Sequence, residues 1–249
     1  MSLLFSVSDL RDELHAFREL ARGMLFGNSD QALHTAADDL ISISRRSTPC
    51  RWQIHSANPV VTKHSVGSYM PDDEGALTVY ADISFVWMLE PVRPPGNTQA
   101  AKRVRLNGLG STVIRIFDGL PWKPNEATEI AVWKMEIADT AAPGTFFHVQ
   151  VHGREDPAYF PAALDVPRLP GVLNSPFACM EFALGELFQA KWPRIAMKDS
   201  GPGLRWRSIQ AYRHRRHLEW VTEQVSATSG SPWVMWKAAK PDEGLFLPA

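Results

Sequence analysis

The amino-acid sequence predicts an α+β protein with a mainly antiparallel sheet of five or six strands, packed by an N-terminal helical hairpin and two C-terminal helices. Apolar residues recur at helical spacing near both ends of the chain and at the two-residue spacing of strands in the middle. Strands do not alternate with helices along the sequence, so a doubly wound parallel sheet is not expected. We therefore expect one domain over residues 1–249.

Residues 1–47 predict the helical hairpin. Apolar side chains recur at helical spacing from Leu10 to Leu25 and again from Leu33 to Ile41. Gly27 and Asn28 interrupt the pattern between the two stripes, and Pro49 ends it. Two adjacent amphipathic helices with a short connection favour an antiparallel pair.

Residues 50–152 predict a β-meander. Apolar and polar side chains alternate in several short runs that are rich in β-branched and aromatic residues. The Asn107-Gly108 pair is typical of a hairpin turn. Loops are predicted at 91–99, 118–125 and 140–144. The runs predicted as strands are 52–55, 79–87, 104–106, 112–117, 130–137 and 147–152.

Residues 156–227 predict a stiff connection followed by two helices. The segment 156–175 is rich in proline, which fixes φ and favours an extended, irregular chain. Ser175 and Pro176 have the character of an N-cap and a first helical residue, and Pro193 is predicted to end that helix near Trp192. A turn at 201–203 precedes a last helix over about 204–225. The aromatic tail, 228–249, is expected to pack back onto the domain.

Composition and charge narrow the class of protein. The chain has 26 Lys and Arg against 27 Asp and Glu, a net charge of −1, which excludes a wholly basic nucleic-acid binder. Cys50 and Cys179 alone make neither a disulfide framework nor a cysteine-rich zinc site, and they favour a reducing compartment. The N-terminus lacks the pattern of a signal peptide, and the longest apolar run, 83–89, is too short to span a membrane. We expect a cytoplasmic protein without a membrane partner.

The segment His148-Val149-Gln150-Val151-His152 is the most pointed candidate site. On a strand, residues two and four apart share one face, so His148, Gln150 and His152 form a polar row. Two imidazoles so placed suit a divalent metal, or acid and base catalysis near neutral pH. The alternative is the ordinary polar face of an amphipathic strand. If the strands are in register, that face also carries Gln53, His55, Asp82, Ser84, Arg115, Lys134 and Glu136.

A second candidate is Glu181 on the strongly apolar helix. A carboxylate on a mostly buried helix needs a partner, and Arg168 on the stiff upstream segment is the expected one. The pair would act either as a general acid or anion clamp, or as a structural ion pair.

The last helix is a third candidate because it is basic and aromatic. Its basic residues suit phosphate or nucleic-acid binding, and the main candidates are Arg213, Arg215 and Arg216. The alternative is that these arginines pair with acidic residues of the N-terminal hairpin.

Three functional hypotheses follow, in this order. The first is a non-catalytic binding or assembly subunit of a bacterial-type cytoplasmic system, with a protein partner or self-association, because common catalytic motifs are absent and tryptophans are numerous. The second is a hydrolase or phosphodiesterase that uses His148 and His152, with a divalent metal or as an acid and base pair. The third is a nucleic-acid or nucleotide binder that uses helix 204–225.

Overall fold

The computed structural model describes residues 2–65, 78–93, 96, 99–138, 145–153, 169–227, 230, 231, 234, 236 and 238–247, with the backbone alone for His152 and Gly153. These residues form five helices and ten strands. The helices are α1 (Val7–Ala21), α2 (Ser29–Arg45), α3 (Pro176–Leu187), α4 (Lys191–Ala196) and α5 (Gly201–Ser226). The strands are β1 (Leu4–Ser6), β2 (Leu25–Phe26), β3 (Cys50–Ile54), β4 (Val60–Thr62), β5 (Val79–Val92), β6 (Arg103–Leu106), β7 (Gly110–Asp118), β8 (Thr128–Ile137), β9 (Phe147–Gly153) and β10 (Leu169–Pro170).

All ten strands belong to one antiparallel sheet, which confirms the predicted α+β class. Along its main path the order is β1-β6-β5-β7-β8-β9-β10, while β3 and β4 pair with β5, and β2 pairs with β4. The predicted count of five or six strands was wrong. The additional strands β1, β2, β4 and β10 are only two or three residues long, which is too short to show an alternating pattern.

The Asn107-Gly108 pair does not form the predicted hairpin turn. Leu89 of β5 pairs with Cys50 of β3 and with Leu106 of β6, so β3 and β6 lie on opposite edges of β5. Val86 likewise pairs with both β3 and β7. Strands β6 and β7 therefore follow one another along the same edge. Residues 107–109 interrupt that edge, and Gly108 has the positive φ of 81° that such an irregularity favours.

The inner face of the sheet forms the core with the helices. Trp52 donates its indole N–H to the carbonyl of Ala36 in α2, at 2.8 Å. Phe177 of α3 packs against Trp52 and Phe85, with ring centroids 5.8 and 6.1 Å apart. Because each of these rings is buried, α2 and α3 are fixed against the centre of the sheet.

The opposite, outer face of the sheet is more accessible. In β5, Phe85 and Trp87 are 3% and 2% exposed, whereas Val86 between them is 40% exposed. Successive side chains of a strand point to opposite faces, so this contrast distinguishes the two faces directly. Strand β5 also continues to Val92, so the predicted loop begins later than 91.

Three helices, rather than two, follow the proline-rich segment. The predicted cap is confirmed, because the Ser175 hydroxyl accepts a hydrogen bond from the backbone N–H of Ala178. Helix α3 ends at Leu187, six residues before Pro193. Pro193 lies in the first turn of α4, where the backbone N–H that proline lacks would have no partner within the helix. Residues 201–203 form the first turn of α5 rather than a separate turn, with Ser200 as N-cap.

The N- and C-terminal parts of the chain meet at the core. Phe246 of the tail packs between Phe5 and Phe147, with ring centroids 5.8 and 5.9 Å away. Residues 140–144 and 156–168 lie outside the described residues, so the predictions for the loop and for most of the proline-rich segment concern parts that the structure does not describe.

Candidate functional site

The register places the predicted polar row on the outer face. His148 pairs with Glu136, Gln150 with Lys134 and His152 with Val132. Directly paired residues point to the same side of a sheet. The chain of pairs extends the row across β8, β7, β5 and β3, whereas His55 follows the end of β3. The polar residues that share this face are Gln53, Asp82, Ser84, Ser111, Arg115, Lys134, Glu136, His148, Gln150 and, by its backbone, His152.

His148 is buried and is bonded at both ring nitrogens. Its Nε2 lies 3.0 Å from Oε2 of Glu136, and its Nδ1 lies 3.0 Å from the carbonyl oxygen of Thr145. A carbonyl and an ionised carboxylate only accept hydrogen bonds. A ring nitrogen of His148 that carries a proton donates to its acceptor, and the ring ties the start of β9 to β8.

Glu136 is the centre of this small charged cluster. Lys134 Nζ lies 2.7 Å from Oε1 of Glu136, the carboxylate oxygen that His148 does not contact. Burial alone would raise the pKa of the Glu136 carboxyl, but the hydrogen bonds from His148 and Lys134 outweigh burial and lower it to about 2. The carboxylate is therefore ionised at neutral pH, with Lys134 against one of its oxygens and His148 against the other.

This geometry favours a structural role for His148 over a metal ligand. A metal-binding imidazole needs a free nitrogen lone pair, and both nitrogens of His148 face protein acceptors. Within the described residues, no group of three or more His, Cys, Asp or Glu side chains is placed to hold a metal ion. A divalent metal at His148 and His152, and a hydrolase that depends on it, stay predictions that metal analysis of the purified protein tests.

The carboxylate of Glu181 is held by tryptophans. The indole N–H groups of Trp206 and Trp192 donate to its Oε1 at 2.8 and 3.2 Å. Burial raises the pKa of Glu181, and the two indole hydrogen bonds oppose that rise. Arg168, the partner expected from the sequence, lies outside the described residues. The described contacts make Glu181 the link between α3, α4 and α5.

Arg213 is buried in an ion pair instead of lying on an exposed basic face. Its Nη1 lies 2.5 Å from Oε2 of Glu13, a residue of α1 that is fully buried. Ser175 and Gln210 donate to the other carboxylate oxygen at 2.5 and 2.6 Å. The prediction that Arg213 binds phosphate assumes an accessible side chain, whereas Arg213 is 2% exposed. The alternative prediction, pairing with an acidic residue of the N-terminal hairpin, is what the structure shows.

The other arginines of α5 are more accessible. Arg216 donates to the carbonyl of Leu245 at 3.2 Å and to Glu219 at 3.1 Å. Arg215 is exposed, and Arg205 pairs with Asp12 of α1 at 3.3 Å. These contacts connect much of the basic surface of α5 to the protein itself. Binding of nucleic acid through 204–225 stays a prediction.

A broad hollow lies on the outer face of the sheet. Its volume is about 640 Å³, and it is lined by residues of β3, β5 and β7 and by residues 107–109 between β6 and β7. We call it the outer-sheet hollow. Its apolar lining includes Val86 and Leu109, which are 40% and 43% exposed, together with Val113. Arg51, His55 and Arg115 contribute polar groups to its lining.

Comparisons with known proteins give no relative for this chain. No family model, no curated protein and no solved structure matches it significantly. The described part of the chain contains no helix long and apolar enough to cross a membrane.

Two features of functional interest escaped the sequence analysis. The outer-sheet hollow depends on Leu109, which follows the predicted but unformed hairpin turn at Asn107-Gly108, and on Val86, which lies in the polar row although it is apolar. The alternation of β5 was a usable signal for Val86, because an apolar residue on a polar face is anomalous. The second feature is the buried carboxylate of Glu13. It gave a weaker signal, because Glu13 is one of several acidic residues in its helix and the sequence does not reveal which of them is buried.

Proposed function

We propose that this protein is a non-catalytic assembly subunit that self-associates through the outer-sheet hollow. The observation that carries the proposal is the exposure of Val86 and Leu109 within one concave surface. Large apolar side chains that line the same accessible concavity, among polar groups, are typical of protein interfaces. Burying them against a second copy would remove apolar surface from water, which is the main driving force for association.

The charges around the hollow suit a second copy of this chain. Arg115 lies opposite Asp82 in the sheet register, and its Nε is 3.7 Å from Oε2 of Glu129. The surface therefore carries cations and carboxylates side by side, while Arg51 adds a cation at another part of the lining. A two-fold interface brings one patch against itself, so it requires both signs of charge within that patch.

The surface is also rigid before association. Strand β5 is paired along both edges, with β3 and β4 on one side and with β6 and β7 on the other. A surface that is already ordered loses little conformational entropy on binding. His148, a candidate site residue, also stabilises the sheet, because its side chain joins β9 to Glu136 of β8. These contacts support a binding surface built on a fixed sheet.

Sedimentation velocity across a concentration series tests the proposal. We expect the wild-type chain to form a discrete oligomer, and Leu109→Asp to weaken association by about tenfold or more, because the new carboxylate would be buried at the interface. Leu218→Asp is the matched control, since Leu218 is 57% exposed on α5, away from the hollow. It should associate as the wild type does.

Two results would overturn self-association through this surface. One is a wild-type chain that remains monomeric at every concentration. The other is equal weakening by Leu109→Asp and Leu218→Asp, which would indicate a general effect of added charge rather than a contact at the hollow.

A further inference from the structure

We infer that a separate basic cleft binds a ligand that carries a di- or triphosphate group. The cleft has a volume of about 530 Å³ and lies where the start of α1, the end of α2 and the segment before β6 meet. This size is in the range of small-molecule sites. We call it the basic cleft.

Four cationic side chains line this cleft: Arg11 of α1, Arg45 of α2, Lys102 just before β6, and Arg103 at the start of β6. No carboxylate is among the described lining residues, and none of the four cations forms an ion pair within the described parts of the chain. The whole chain has a net charge of −1, so this concentration of positive charge is local. Clefts lined by one sign of charge attract ligands of the opposite sign.

The walls of the basic cleft are joined by backbone hydrogen bonds. The N–H of Val7 donates to the carbonyl of Lys102 at 3.0 Å, which ties α1 to the segment before β6. The N–H of Ala101 donates to the carbonyl of Ser44 at 2.7 Å, which ties the same segment to α2. Arg93 donates to that same carbonyl at 2.8 Å. The backbones that carry the cations are thus held in place before a ligand arrives.

The charge of the cleft and its apolar side indicate the class of ligand. Arginine donates in a planar fork that matches phosphate oxygens, and several cations suit a group with several negative charges. Ile41, Val7 and Leu247 form an apolar part of the lining. An organic di- or triphosphate would use both parts, whereas an inorganic polyphosphate would use the cations alone.

Isothermal titration calorimetry with ATP, tripolyphosphate and adenosine tests this inference in magnesium-free buffer. We expect ATP and tripolyphosphate to bind, and adenosine to bind at least about tenfold more weakly, since it lacks the phosphates. Tighter binding of ATP than of tripolyphosphate would assign an organic ligand. Equal binding would assign the polyphosphate group alone. Raising the salt concentration should weaken both.

The variant Arg11→Ala/Arg45→Ala should weaken ATP binding by about tenfold or more, as expected for loss of charged hydrogen bonds. Both residues are exposed on helices, where alanine is well tolerated. The control Arg194→Ala/Arg215→Ala removes the same charge from exposed sites on α4 and α5 and should bind as the wild type does. Failure of the wild type to bind either polyphosphate, or equal weakening by both variants, would overturn the inference. Neither result bears on self-association.

Discussion

Removal of Glu13 is expected to destabilise the protein more than any change to a surface charge. Its carboxylate is fully buried and accepts hydrogen bonds from Ser175, Gln210 and Arg213. In the variant Glu13→Leu, the Arg213 guanidinium, whose side chain is 3% exposed, would remain buried without its counter-ion. Breaking one partner of a buried pair costs about 3–5 kcal/mol.

The double variant separates the interaction from the cost of an orphaned charge. Arg213→Met alone leaves the carboxylate unpaired and should also cost about 3–5 kcal/mol. Glu13→Leu/Arg213→Met removes both charges and fills the space with apolar groups, so its loss should be much smaller than the sum of the two single losses. Rescue of this kind would also show that the single variants fail for electrostatic reasons rather than steric ones.

Urea denaturation followed by tryptophan fluorescence measures these free energies of unfolding by linear extrapolation. The control is Arg18→Met, which breaks an ion pair between α1 and α2. In that pair, Nη2 of Arg18 lies 2.6 Å from Oδ2 of Asp30. Their side chains are 23% and 42% exposed, so water screens the pair and we expect a loss of about 1 kcal/mol or less. Losses in Glu13→Leu as small as in Arg18→Met, or additive losses in the double variant, would refute the reasoning.

Three further predictions concern titration and reactivity. Because the folded-state pKa of Glu136 is lowered to about 2, its ionised form contributes stability at neutral pH. This stability is lost as pH falls from about 4.5 towards 2. In urea unfolding, the difference in the free energy of unfolding between the wild type and Glu136→Gln should therefore shrink over that range. His217 is buried with its pKa lowered to about 4, first by desolvation and then by the charge of His214. The unfolded chain therefore takes up the proton first, and stability should fall from about pH 6.5 to 4 in the wild type but less in His217→Phe. Burial raises the pKa of the Cys179 thiol to about 12, so a disulfide reagent should react with Cys50 well before it reacts with Cys179; equal rates would contradict this burial.

The long regular elements were predictable from the sequence because they carry clear periodicity. The alternation of Trp52 and Ile54 with Gln53, and the alternating pattern of β5, correctly identify the inner face. The short strands were not predictable, since a pair such as Leu25–Phe26 is defined by its partner β4 rather than by its own pattern. For the same reason Asn107-Gly108 was misread: local turn chemistry does not reveal that β6 and β7 share one edge of β5.

For the candidate sites too, the sequence predicts what local alternation determines and does not predict what depends on distant partners. The face of His148, Gln150 and Lys134 followed from alternation alone, whereas the burial of His148 depends on Glu136 and on the carbonyl of Thr145. The burial of Arg213 was not predictable, because its partner, Glu13, lies 200 residues away in the sequence. The basic cleft was equally inaccessible to sequence reasoning, because its cations come from three separate segments.

Hydrogen–deuterium exchange at low and high protein concentration tests the central claim, self-association through the outer-sheet hollow, most directly. We predict that higher concentration slows exchange at residues 107–109 and in strands β3 and β7, which line the hollow. The exposed surface of α5 should exchange at the same rate in both conditions. Exchange that is unchanged at 107–109, or protection confined to α5, would contradict the account.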